Sequence, residues 1–172
     1  MRDYVMASLD LMIAAWDEAH WEFSLVFEGL ADEDVWKRPH PNLLSIGELT
    51  GHIVFWEAVR FMGPGATNQP DLDLVGIKSP LIDGKFRYYS KSIGEPVDLG
   101  LTAAELLSEV TRIQQESKAA ITREARDSED PFPGSQKATW GNTLTYQVFH
   151  IAYHTGQAYS VRHLLGHTTT DN

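Results

Sequence analysis

All eight prolines of this chain fall within residues 39–41, 64–96 and 131–133, and the stretches they leave untouched carry apolar side chains at helical spacing. A proline inside a helix removes a backbone hydrogen bond and clashes with the preceding turn, so long helices are confined to the proline-free stretches. In the first of these, Val5, Leu9, Met12, Ile13, Trp16, Phe23, Phe27 and Leu30 form one stripe, and a single long helix is expected there. Arg38-Pro39-His40-Pro41-Asn42 then breaks the pattern. A second helix opens at the capping box Ser45-Ile46-Gly47-Glu48 and buries Ile46, Leu49, Ile53 and Trp56. A third opens at the capping box Thr102-Ala103-Ala104-Glu105 and runs to about Arg123, with Leu106, Val110, Ile113, Ala120 and Ile121 on its stripe. Asp127 to Trp140 reads as loop. A fourth helix is expected from Asn142, as N-cap, to Leu165, with Gly166 as its left-handed terminator.

No stretch alternates as a strand would, so the expected fold is all-α, a four-helix bundle with a long crossover between helices 2 and 3. Residues 1–167 form one domain and residues 168–172 a polar tail. The crossover, residues 63–100, holds four prolines and six glycines. Connections of that length are uncommon in compact domains. They serve as lids or binding loops, or simply as ordered links between helices. This one also carries Lys85, Phe86, Arg87, Tyr88 and Tyr89, groups suited to an aromatic or anionic ligand.

Composition excludes several chemistries. The chain has no cysteine, which removes disulfides, thiolate nucleophiles and zinc ribbons together. Its 24 acidic and 14 basic side chains leave a formal net charge of -10, which repels phosphate backbones and anionic lipid. Neither nucleic acid nor membrane is expected as a partner. Asp3, Asp10 and Asp17 interrupt what would have to be the core of a signal peptide, so a cytoplasmic location is the expectation.

The polar residues of the fourth helix stand out. His150 and His154 lie four apart, about 40° apart around the axis and about 6 Å along it, close enough to share a metal ion. Such a pair also arises as ordinary surface or hydrogen-bonded core histidines. The stripe it occupies, with Gln147, Gln157, Val161 and Leu164, must turn largely inward, and buried imidazoles demand partners. His52, at the edge of the second helix's stripe, can point into the same interior. Three imidazoles would leave coordination positions open for water or substrate, the pattern of catalytic metal sites. Gln157, one turn beyond His154, is the candidate to orient a ligand. His20 reads as a hydrogen-bonded core residue and Glu57 as a surface or helix-pairing one. His163 and His167 read as solvated, and Tyr153 as a packing group. No residue stands out as a general base, so the catalytic residues are unassigned.

Two blocks of residues resemble the DinB/YfiT-like superfamily of bacterial metal-binding four-helix bundles. One runs from Leu30-Ala31-Asp32-Glu33-Asp34-Val35-Trp36 through Pro39 to Ser45-Ile46-Gly47-Glu48-Leu49 and His52. The other is Trp140 followed by His150-x-x-x-His154-x-Gly156-Gln157 and Arg162-x-Leu164-x-Gly166. The resemblance covers most of the chain except residues 63–100. It implies a bundle with a long crossover, often a homodimer, and one divalent ion per chain held by His52, His150 and His154. Relatives include transferases that use low-molecular-weight thiols.

The leading expectation is therefore a metal-dependent enzyme, a hydrolase or thiol transferase, that activates water or a small thiol at a three-histidine site. Zinc or nickel suits three imidazoles best, with manganese or iron possible. Because ligating imidazoles must be neutral, binding is expected to fail below about pH 6. The rival is a non-catalytic dimeric helical protein that binds a ligand or partner, with a structural metal or none.

Overall fold

A computed structural model describes residues 8–88 and 94–168. Among them are five α-helices and no strand: α1 (Leu9–Ser24), α2 (Asp32–Val35), α3 (Ile46–Met62), α4 (Ala103–Glu124) and α5 (Trp140–Leu164). The described part of the chain is thus all-α. The second, third and fourth helices expected from the sequence are α3, α4 and α5. None of the described helices is long and apolar enough to cross a membrane.

The first helix is shorter than its apolar stripe. Val5 lies outside the described residues, and α1 ends at Ser24, whose hydroxyl donates to the Trp21 carbonyl at 2.6 Å. The chain tightens into a 3-10 turn over Leu25–Phe27 and reverses at Gly29, which sits at φ 63°. Phe27 and Leu30 are buried as expected, but from the turn rather than from a continuous helix. The following α2 brings Trp36 onto Gly47, where an added Cβ would lie 2.5 Å from the indole.

Capping fixes the other helix starts. The Ser45 hydroxyl accepts from the Glu48 N–H, and the Glu48 carboxylate accepts from the Ser45 N–H. Thr102 and Glu105 repeat the arrangement on α4. On α5 the cap is Thr139, three residues earlier than expected. Its hydroxyl accepts from the Asn142 N–H, which places Asn142 inside the helix and makes Trp140 its first residue. The loop before it closes through an antiparallel bridge between Pro131 and Thr139. Gly166, at φ 92°, ends α5 as the sequence suggests.

Helix α1 packs chiefly on α5, and α3 lies between α4 and α5. Trp16, Phe23, Ile53, Phe55, Leu106, Ile113, Leu144 and Ile151, drawn from all four long helices, are fully buried at their junction. A buried polar contact also joins α1 to α3 across this core. His20 Nε2 and Glu57 Oε2 stand 2.6 Å apart, both side chains buried, so Glu57 is a helix-pairing residue and not a surface one. Leu164, expected inward, is exposed at the end of α5.

The crossover is anchored rather than loose. Leu81 and Phe86 are fully buried, and Gly51 of α3 provides the seat for the Phe86 ring, which a Cβ there would overlap. Asp83 caps a 3-10 turn over Gly84–Phe86 through the Lys85 N–H. Further along, Glu48 binds the chain again. Fully buried, it takes a fork of hydrogen bonds from Arg38, accepts from the Val97 N–H at 3.1 Å and from the Tyr88 hydroxyl at 3.3 Å. Burial alone would raise its pKa, but the Arg38 guanidinium and the backbone N–H donors hold it below the ordinary glutamate value.

Candidate metal centre

His52 leaves α3 on the face turned to α5, five residues before the core contact of Glu57, while His150 and His154 leave α5 one turn apart. These spacings bring three imidazoles together. One ring nitrogen from each lies within 4.8 Å of the other two. His52 Nε2 and His150 Nε2 are 3.2 Å apart. Two nitrogens held by one tetrahedral ion at about 2.0–2.1 Å would be separated by about 3.3 Å, so this pair already stands at ligand spacing.

Two of the three outer nitrogens are anchored as those of ligand histidines are. His52 Nδ1 lies 2.9 Å from the Phe86 carbonyl, which accepts from it. His154 Nδ1 lies 2.7 Å from Gln157 Oε1, likewise an acceptor. Each bond places the proton on Nδ1 and turns the Nε2 lone pair toward the cluster. The Gln157 amide also donates to the Tyr153 hydroxyl at 3.4 Å. Among the described residues His150 Nδ1 is buried without a partner, as are both polar atoms of the Gln147 amide one turn earlier.

Burial controls the protonation of all three. It pushes His52 down to about 4, against the opposing pull of the Phe86 carbonyl, and His154 charge lowers it further. His150 is pushed down to about 2 by burial and by the charges of His154, His52 and Arg60. His154, half-buried, is lowered by burial and partly restored by Gln157. All three rings are neutral at pH 7 and available as donors of lone pairs. No carboxylate joins the cluster among the described residues, so the donor set is all nitrogen and suits borderline metals over magnesium or calcium.

The surroundings are aromatic. Tyr146, Phe149 and Tyr153 lie 44%, 61% and 55% exposed along α5, and the Tyr146 ring stacks 6.0 Å from His150 at 20°. Tyr88 of the crossover sits 5.8 Å from His52. Tyr89, the neighbouring aromatic, lies outside the described residues. The remaining histidines stand apart from the cluster. His20 is paired with Glu57, His40 Nδ1 accepts from the Asn42 N–H, and His163 is exposed on α5. His167 is not solvated as expected, because Gly166 turns it back to bond Asp34 at 2.9 Å. Sequence reading missed the Phe86 carbonyl, since no spacing along the chain links residue 86 to residue 52. The Tyr146 contact was open to it, because Tyr146 precedes His150 by one turn.

No curated protein and no solved structure gives a match to this chain. A family model does: that of the DinB superfamily matches residues 15–158, a span that takes in the later part of α1, the crossover and all three clustered histidines. With so much of its length matched, the chain belongs to the DinB superfamily.

Proposed function

We propose that His52, His150 and His154 hold one divalent metal ion, zinc or nickel in the first instance with manganese or iron as alternatives, and that the protein is a metal-dependent enzyme. The observation that carries this reading is the pair of anchored Nδ1 atoms, which leaves the remaining ring nitrogens neutral, converging and within 4.8 Å of one another. When bound, an ion in such a site supplies Lewis acidity that makes a nucleophile from water or a low-molecular-weight thiol at neutral pH. The chain's own residues do the rest. The Phe86 carbonyl and Gln157 fix the two outer rings, the buried walls exclude competing protons, and the aromatic edge of α5 gives a substrate an apolar surface. Since the chain has no cysteine, any thiol must come with the substrate.

The four long helices are read as a four-helix bundle forming one domain over residues 1–167, and the protein as a cytoplasmic homodimer acting on a small molecule. The net charge of -10 supports a small-molecule substrate over nucleic acid. Thiol and water chemistry separate in one experiment, titration of cobalt-substituted protein with glutathione. A thiolate-to-cobalt charge-transfer band that saturates supports thiol transfer. An unchanged spectrum rejects thiol transfer and leaves hydrolysis.

A further inference from the structure

One turn of α5 from the three imidazoles, a layer of polar side chains crosses the centre of the bundle. Helices α4 and α5 each pack against both α1 and α3, so α1 and α3 stand at opposite corners, and the 2.6 Å contact between His20 and Glu57 spans that diagonal. Trp16 meets His20 edge-on, with ring centres 4.9 Å apart. The other diagonal is polar at the same level. Asp17 of α1 accepts from Gln114 and Lys118 of α4, which sets Ser117, on the buried stripe of α4, level with Trp16 and His20. On the facing side His52 meets His150 and Arg60 lies over Tyr146, which sets Glu57 of α3 level with Gln147 of α5. Trp16, His20, Glu57, Ser117 and Gln147 are all at most 3% exposed.

Each of these side chains carries a buried polar atom with no partner among the described residues: Trp16 Nε1, His20 Nδ1, Glu57 Oε1, Ser117 Oγ and both amide atoms of Gln147. His150 Nδ1, one turn from Gln147 along α5, joins them. The clustering is selective. Every other side-chain nitrogen or oxygen buried in this way is an arginine Nε, and those are scattered over α3, the crossover and α5. Buried donors and acceptors in a folded core find partners, and as placed none of these bonds another. The set is mixed. The Trp16 N–H only donates, Glu57 Oε1 only accepts, and Ser117 and the Gln147 amide do both. An anion would face the Glu57 carboxylate and a cation the Trp16 N–H, whereas water serves both kinds of group at once. We propose that this layer is an internal water site beneath the metal centre, and that Gln147 is a positioning residue. Through that water it gives His150 Nδ1 the partner that the Phe86 carbonyl and Gln157 give the other two rings. The water site stands on the orphaned groups alone, while the effect on a ligand rests on the metal-centre reading.

The test is nuclear magnetic resonance of the full-length protein, metal-free and zinc-loaded, reading cross-relaxation between water and the Trp16 indole and Gln147 amide protons. Contacts with long-lived water, told from proton exchange by their sign in the rotating frame, should appear at both groups in both forms although neither side chain is exposed. Gln147→Met keeps the length and bulk of the side chain and removes its polar atoms, so packing is retained. It should weaken zinc about tenfold, measured by competition with a chromogenic chelator, while helical circular dichroism stays at the wild-type level. A side chain that merely filled space would leave zinc affinity unmoved by this exchange. Absence of water contacts at both groups would overturn the proposal, and wild-type zinc affinity in folded Gln147→Met protein would overturn the role of Gln147. Water contacts in a wild-type protein that binds no zinc would refute the metal centre and leave the water site standing.

Discussion

At the scale of single residues, burial decides what the three histidines do as pH changes. An exposed imidazole titrates near 6.5, whereas His52 and His150 are held at about 4 and about 2. Between those values and 6.5 the unfolded chain binds protons that the folded chain refuses, so stability rises with pH across that window. Metal-free protein should therefore lose stability progressively as it is acidified from pH 6.5 towards 4, seen as a falling denaturation midpoint in urea. With the proposed ion in place, the same burial should extend metal binding to lower pH than the exposed-histidine pKa of about 6.5 suggests. The orientation of His154 belongs to Gln157. Replacing Gln157 with Leu removes the acceptor on Nδ1 and should weaken zinc about 10–100-fold without unfolding the protein, measured by competition with a chromogenic chelator.

At the scale of elements, Glu48 ties three segments to one carboxylate: the Ser45 cap of α3, Arg38 from the linker before it, and Val97 at the end of the crossover. Only the first was legible in the sequence, because capping is chemistry between residues three apart. The other bonds depend on where the buried Leu81 and Phe86 lead the crossover, which no local spacing encodes. The same distinction holds elsewhere. The His150–His154 pair could be read from helical repeat alone and His52 from its place beside a stripe, whereas the carbonyl that orients His52 could not. The end of α1 was hidden for another reason, since a 3-10 turn buries Phe27 and Leu30 as well as a continued helix would. Glu48→Gln leaves the Arg38 guanidinium, only 7% exposed, without its counter-charge. It should cost on the order of 3–5 kcal/mol of unfolding free energy in urea titration, against about 1 kcal/mol for Ser45→Ala.

At the scale of the whole molecule, the site is built on helices whose apolar stripes meet without it. A core drawn from α1, α3, α4 and α5 does not need an ion to nucleate it, unlike that of small zinc domains. Removing metal with a chelator should lower the melting temperature while leaving far-ultraviolet helicity nearly unchanged, because a ligand of the folded state stabilises by mass action. Loss of most helical signal would show that the fold depends on the ion. The central claim is tested most directly by elemental analysis of untagged protein, purified side by side as the wild type and as His150→Ala. The account predicts about one divalent ion per wild-type chain and nearly none in the folded variant. Equal metal content in the two proteins would contradict it.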